Sequence, residues 1–413
     1  MTCSEAIPDQ PISDDRRARR NALILSFAQA LFFVASSIQA TVSGLVGYML
    51  ADDKSLATLP VTALVLGSLI TTVPASMFMR QVGRRIGFQL GAMLGTLSSV
   101  IAIYAIYDQS FWLFCFAIFM SGSYQAFAQY YRFAAADTAS EAFRPRAISW
   151  VLAGGLLAAI AGPQLVIYTK DALAPVMFAG VFVAAAVASL LAVAVVSLVN
   201  IPKAPKSAPD GTPPRPLREI LKQAKLRIAI FSGMVSYGSM TYLMTATPLA
   251  MVACNHSVDS AAWAIQWHVL AMFAPSFVTG RLIDRFGRER VVLAGLLLLA
   301  AAGVVAHAGI SLWHFNLAMI LLGVGWNLGY IGSTTMVTDC HRPEERNKVQ
   351  AVNEFMVFGL LAFASFFSGK LLHETGWETV AISYLPFVVL AAGLVLMLAF
   401  RDARWGSTAN RSG

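Results

Sequence analysis

Apolar runs of roughly 20 residues recur along the whole chain, each long enough for a helix to cross the roughly 30 Å hydrocarbon core of a bilayer. Hydrocarbon offers a peptide group no hydrogen-bond partner, so such runs must be helical. By hydropathy they fall at 22–50, 58–79, 86–107, 111–136, 146–168, 174–199, 227–251, 259–280, 290–309, 313–337, 348–371 and 377–400. Only 13% of the residues are charged, where a soluble domain has about 25%. That balance excludes a soluble core. The expected class is an all-α polytopic membrane protein with twelve transmembrane helices, and its first partner is the lipid bilayer.

The formal net charge of +8 would point a soluble chain toward nucleic acid. Here the basic residues are confined to the short segments between apolar runs, so no nucleic acid is expected. With the N-terminus in the cytoplasm, all but Lys54, Lys170 and Lys370 of the 30 Lys and Arg residues lie on the cytoplasmic side, as the positive-inside bias requires. A wrong span count would scramble that bias beyond the error. Both termini are therefore expected in the cytoplasm, with a bacterial inner membrane as the location. The apolar stretch after Arg16, Arg17, Arg19 and Arg20 is too long for a signal peptide and reads as an uncleaved first helix.

The chain divides into a tail (1–21), a six-helix bundle (22–199), a linker (200–226), a second six-helix bundle (227–400) and a tail (401–413). Pro202, Pro205, Pro209, Pro213, Pro214 and Pro216 make the linker extended and solvated. Leu217–Leu226, with Arg218, Lys222 and Lys225 among apolar residues, reads either as a short helix on the membrane surface or as a charged lead-in. Cys3, Cys115, Cys254 and Cys340 lie far apart and form no metal or disulfide pattern. No metal or cofactor is expected. HExxH, GxSxG and Walker motifs are absent, which disfavours an enzyme.

The loop after the second run reads Arg80-Gln-Val-Gly83-Arg84-Arg85, and the loop after the eighth reads Asp284-Arg285-Phe-Gly287-Arg288-Glu289-Arg290. Their glycines are offset by 204 residues. Asp137 and Arg144 after the fourth run correspond to Asp339 and Arg346 after the tenth, at an offset of 202. Two parallel six-helix repeats follow. The stretch Gly280-Arg-Leu-Ile-Asp284-Arg285-Phe-Gly287-Arg288-Glu-Arg290 resembles the cytoplasmic loop signature of the major facilitator superfamily. The resemblance covers nearly the whole chain and implies that family's fold. It implies gating roles for Gly83, Arg84, Asp137, Arg144, Gly280, Asp284, Arg285, Gly287, Arg288, Asp339 and Arg346. In the first copy Arg80 replaces the family's usual acid, so that loop is not expected to grip the opposite half in the usual way. Gly162-Pro163 with Ala158 matches only part of the exporter motif of the family, and a plain proline kink explains it as well. The mid-span arginine of drug–proton antiporters is not evident in the fourth span. Export is therefore not favoured.

The resemblance also implies a central cavity lined by spans one, four, seven and ten. Candidates are Gln29, Ser36 and Gln39 in the first span; Tyr124, Gln125, Gln129 and Arg132 in the fourth; Tyr237 and Thr241 in the seventh; and Trp326, Asn327 and Tyr330 in the tenth. Each polar member serves equally as glue between helices. Tyr124-Gln125 and Trp326-Asn327 correspond in the repeat and would suit a flat polar solute. A flavin-sized heterocycle is compatible, though the sequence does not select it. Arg132 either holds an anionic group, pairs with Asp137, or reaches the interface. His268 and Glu354 are the candidates for proton coupling, against a satisfied core histidine and an acid paired with a loop arginine.

The expected activity is secondary or facilitated transport of a small polar or anionic organic solute by alternating access, with uptake favoured and a monomer expected. The rivals are an exporter of the same fold, a non-transporting sensor and a membrane enzyme. The topology makes a direct prediction. A membrane-impermeant amine reagent applied to intact cells should label Lys170 and spare Lys203, and equal labelling would refute the orientation.

Overall fold

A computed structural model describes residues 15–137, 139–140, 143–201, 215–342 and 345–409, with no strand among them. The linker prolines from Pro202 to Pro214, Cys3 and most of the N-terminal tail lie outside the described residues. The first half comprises α1 (Asp15–Leu50), α2 (Leu59–Val82), α3 (Arg84–Tyr107), α4 (Phe111–Ala128), α5 (Tyr131–Asp137), α6 (Arg144–Thr169) and α7 (Ala179–Val196). After the single turn α8 (Leu217–Ile220), the second half comprises α9 (Ala224–Ala253), α10 (Val258–Phe273), α11 (Ser276–Phe286) and α12 (Arg288–Ala308). It ends with α13 (Leu312–Thr338), α14 (Arg346–Thr375), α15 (Trp377–Ser383) and α16 (Leu385–Ala409).

Ten helical segments are long and apolar enough to cross a membrane, and α10 with α11, bent by 43°, make an eleventh. The remaining expected span is α9, 30 residues long. It is less apolar because Ser232, Ser236, Ser239, Thr241, Thr245 and Thr247 interrupt it, and all six are buried among neighbouring helices. A helix sheathed by protein can carry hydroxyls that lipid would penalise.

Several spans expected to be continuous are broken. Pro275, which has no N–H to donate, stands between α10 and α11. The fourth span stops at Ala128 and restarts at Tyr131, so Arg132 is not on the same helix as Tyr124 and Gln125. The last span divides at Tyr384, with Pro386 just beyond. Of the expected surface helix, only the turn Leu217–Ile220 forms before α9 begins.

One large apolar core draws on residues from Ile220 to Leu398 and another on residues from Ala18 to Val199. Gly44, late in α1, lies against Leu249 and Thr245, late in α9. The two helices that open the halves therefore run parallel, as the repeat requires. Tight contacts inside each bundle use small residues: a Cβ on Gly67 would stand 2.1 Å from the Phe119 carbonyl oxygen, and one on Gly122 would stand 2.0 Å from that of Leu64.

The repeat recurs in detail at one end of the molecule, hereafter the turn face. Gly83 and Gly287 both join helices with positive φ, 99° and 86°, a conformation that side chains disfavour. Beside them Arg84 pairs with Asp137 at 3.2 Å, and Arg288 pairs with Asp339. Equivalent residues thus make equivalent ion pairs, each within its own half. Asp137 is taken by Arg84, which removes the expected alternative partner of Arg132.

The end of the linker is also held at this face. Arg215 donates to the Glu345 carboxylate through Nε at 2.6 Å and Nη2 at 2.8 Å, and the Arg342 backbone N–H donates at 3.0 Å. The Arg215 side chain holds the Glu345 carboxyl down at about 2, from an ordinary 4.5. A carboxyl held low binds its proton less readily when folded. This contribution is therefore complete above about pH 4.5 and fades as pH falls toward about 2. Arg215→Ala should release that hold and speed proteolysis near residue 215 at neutral pH. A rate equal to that of the unmodified chain would show the contact to be inert.

Candidate functional site

The candidate site lies where the halves meet and then separate. Near the face opposite the turns, Lys170 pairs with Asp259 at 3.5 Å. Gln164 Nε2 donates to Gln266 Oε1 at 2.8 Å, and the Thr62 and Ser365 hydroxyls stand 2.9 Å apart. Thr58 Oγ1 donates to the Phe366 carbonyl at 3.3 Å. Each of these contacts crosses from one half to the other. Deeper in, Phe33 of α1 meets Phe273 of α10 edge to face at 5.2 Å. Val65 of α2 packs against Val357 and Leu361 of α14.

Toward the turn face the picture changes. Arg132 of the first half and Glu354 of the second lie within electrostatic reach of each other without forming an ion pair. Arg132 is exposed, with its guanidinium 4.8 Å from the Phe133 ring centroid. Glu354 is half-buried. The polar contacts described between the halves lie toward the face opposite the turns.

Between these zones stands an aromatic cluster. Tyr237 of α9 meets Trp326 and Tyr330 of α13 at 5.3 and 4.8 Å. Trp326 and Tyr330 stack at 5.5 Å with planes 18° apart. Phe273 and Phe358 extend the cluster. Tyr237 and Tyr330 are half-buried and pack against the contact of Val65 with Val357 and Leu361, which puts the cluster at the boundary between the halves. The Trp326 indole N–H is buried without an acceptor. A polar hydrogen left so is costly unless something else satisfies it. Among the described residues no group of His, Cys, Asp and Glu is arranged to hold a metal ion.

A family model described as Major Facilitator Superfamily matches residues 25–246 and 229–412. The chain belongs to the major facilitator superfamily. It is 49% identical to the riboflavin transporter RfnT of Brucella anthropi over 389 residues, 94% of this chain and 97% of that one. It is 28% identical to the uncharacterised MFS-type transporter YdeG of Bacillus subtilis over 395 residues, 92% of this chain and 90% of the relative. A crystal structure of the nucleoside transporter NupG superposes with a TM-score of 0.69 at 16% identity, covering 91% of this chain and 99% of that one. That likeness establishes the fold.

In this MFS transporter the expected site residues separate into two groups. Gln125 and Ser36 are half-buried, and Tyr237, Trp326 and Tyr330 meet one another in a single cluster. Others are spent inside one half. Ser121 donates to Gln39 Oε1 at 2.7 Å, and Gln129 Nε2 donates to Ser68 at 3.3 Å. Gln29 and Thr241 are buried. Tyr124 is fully buried in the first-half core, its ring edge to face with Phe32 at 5.1 Å. Its hydroxyl lies near that of buried Tyr131, short of a hydrogen bond.

Asn327 makes its hydrogen bonds inside the second half. Its Nδ2 donates to the Met272 carbonyl and to Ser276 Oγ, both at 2.6 Å, while Oδ1 accepts from Thr279 at 2.6 Å. Asn327 therefore pins the break between α10 and α11. Neighbours on a helix point about 100° apart, so neither aromatic–amide pair can present both members to one space. In the second pair Trp326 is the member that joins the aromatic cluster.

His268 is likewise committed: its Nδ1–H donates to the Met319 carbonyl at 2.9 Å, and the ring is fully buried in the second half. Of the two proton-coupling candidates, only Glu354 is within reach of the other half. Among the loop residues, Asp284, Arg285 and Arg144 are exposed, and Asp284 makes no ion pair among the described residues. A Cβ on Gly280 would meet nothing within 4 Å. Arg346 opens α14, but its side chain is outside the described residues.

Phe33, Phe273 and Asp259 were not singled out in the sequence, and Lys170 was singled out only as an outer lysine. Nothing distinguishes the two phenylalanines from lipid-facing ones. An acid at the outer end of the eighth span opposite Lys170 was the available signal for the pair. Asn327→Ala should lower the stability of the purified protein by about 1–3 kcal/mol, since it strands buried partners, and should lower its apparent melting temperature. An unchanged melting temperature would restore Asn327 to the list of solute contacts.

Proposed function

We propose that this MFS transporter carries riboflavin, or a flavin of the same shape, into the cell by alternating access. The observation that carries the reading is the Tyr237–Trp326–Tyr330 cluster at the boundary between the halves, with an indole N–H that has no partner. Flat aromatic faces favour a fused heterocycle, and a free donor favours one with acceptors on its edge. The 49% identity to a protein named as a riboflavin transporter supports the same substrate. Gln125 and Ser36 supply polar contacts from the first half.

The charge bias supports a cytoplasmic turn face and cytoplasmic termini, which puts the polar contacts between the halves on the outer side. Transport then requires the bundles 22–199 and 227–400 to rock about the aromatic cluster. The turn face closes as Lys170–Asp259, Gln164–Gln266 and Thr62–Ser365 part. The polar members of that closure are few, as a closure that must open again requires.

The test is uptake of labelled riboflavin by cells that cannot synthesise it. Expression of this chain should restore growth on low riboflavin. Base–aromatic stacking is worth about 1–3 kcal/mol per ring, so Trp326→Ala and Tyr237→Ala should each cut initial uptake by about fivefold or more at equal abundance in the membrane. Unaltered uptake in both variants would remove the cluster from the site. Faster loss of flavin from preloaded cells would reverse the direction.

A further inference from the structure

Transport of a neutral heterocycle does not require a carboxylate in the wall of its site, yet Glu354 is there. It is the carboxylate placed away from the ends of the apolar runs. It is half-buried and makes no hydrogen bond or ion pair among the described residues. A carboxylate in that setting is costly unless something compensates it. Arg132 is within reach but exposed, and it rests on Phe133.

Geometry ties Glu354 to the rings. It lies four residues before Phe358 on α14, hence on the same helical face, and the Phe358 ring meets that of Tyr237 at 6.3 Å. The aromatic cluster therefore has a carboxyl group one helical turn away. Two polar atoms then stand ready beside the rings: a buried indole donor on Trp326 and an acceptor on Glu354. A flat ligand with ring acceptors and neutral N–H or O–H donors satisfies both. A phosphate ester, carrying about −1.5 to −2 at pH 7, would meet the carboxylate where water is scarce and repulsion is strong.

We propose that Glu354 makes the site selective for the uncharged flavin over its phosphorylated forms, by accepting hydrogen bonds from neutral donors and repelling phosphate. This rests on the flavin reading above. Glu354 is thus a specificity-determining residue, and Arg132 does not serve as a phosphate anchor.

The experiment measures quenching of flavin fluorescence by the purified full chain in lipid nanodiscs, with riboflavin and riboflavin 5′-phosphate as probes. The unmodified protein should bind riboflavin at least about tenfold more tightly than the phosphate. Glu354→Gln, which keeps the shape and removes the charge, should shrink that preference to about threefold or less by tightening phosphate binding. Glu354→Asp, which keeps the charge, should preserve the preference, and Arg132→Ala should leave phosphate binding within about threefold.

Equal affinity of the unmodified protein for both probes overturns the proposal and leaves the flavin reading intact. So does a preference that Glu354→Gln does not change, or a large loss of phosphate binding in Arg132→Ala. If the folded, monodisperse protein quenches neither flavin, the flavin reading fails and this proposal fails with it.

Discussion

Hydrocarbon cannot hydrogen-bond to a peptide, and the rest of this structure follows from that fact. Every stretch of chain facing lipid must close its own backbone ladder, so helices form wherever the apolar runs are long enough. The same rule governs the breaks. The α10–α11 interruption is tolerated because Asn327 satisfies the Met272 carbonyl and the Ser276 and Thr279 hydroxyls from the adjacent helix. A helix ladder can be broken in lipid only where protein supplies the missing partners, and such places lie inside the bundle.

Polarity is distributed by the same logic. The hydroxyl-rich face of α9 is enclosed by its neighbours, whereas Trp263, Trp267 and Phe277 around α10 and α11 remain exposed on the outside. The charges that remain are sorted by role. Arg84–Asp137 and Arg288–Asp339 join helices within a half, and so can persist while the halves move. Lys170–Asp259 joins the halves at one face, and so belongs to a single conformation. An ion pair inside a rigid body contributes to its shape, while one between bodies contributes to the balance between states.

Much of the fold was legible in the chain itself. Span positions, two parallel repeats and the paired loops at Gly83 and Gly287 all come from local properties: apolar length, glycine in a turn, and a motif repeated at constant offset. The candidate site was legible only in part. Tyr237, Trp326 and Tyr330 were singled out and do meet, because residues on α9 and α13 at matching depth face a common seam. Tyr124 and Asn327 were singled out beside them and turn into the cores of their own halves.

The sequence alone determined that this protein lives in a membrane, how its helices are spaced and that it is built twice over. Those properties depend on segment length and composition, which any stretch of chain carries with it. Only the tertiary structure decided which polar side chain faces a neighbouring helix and which faces the gap between the halves. Adjacent residues on a helix differ by about 100° in direction, and the chemistry of an amide is the same whether its partner is a carbonyl on the next helix or a solute.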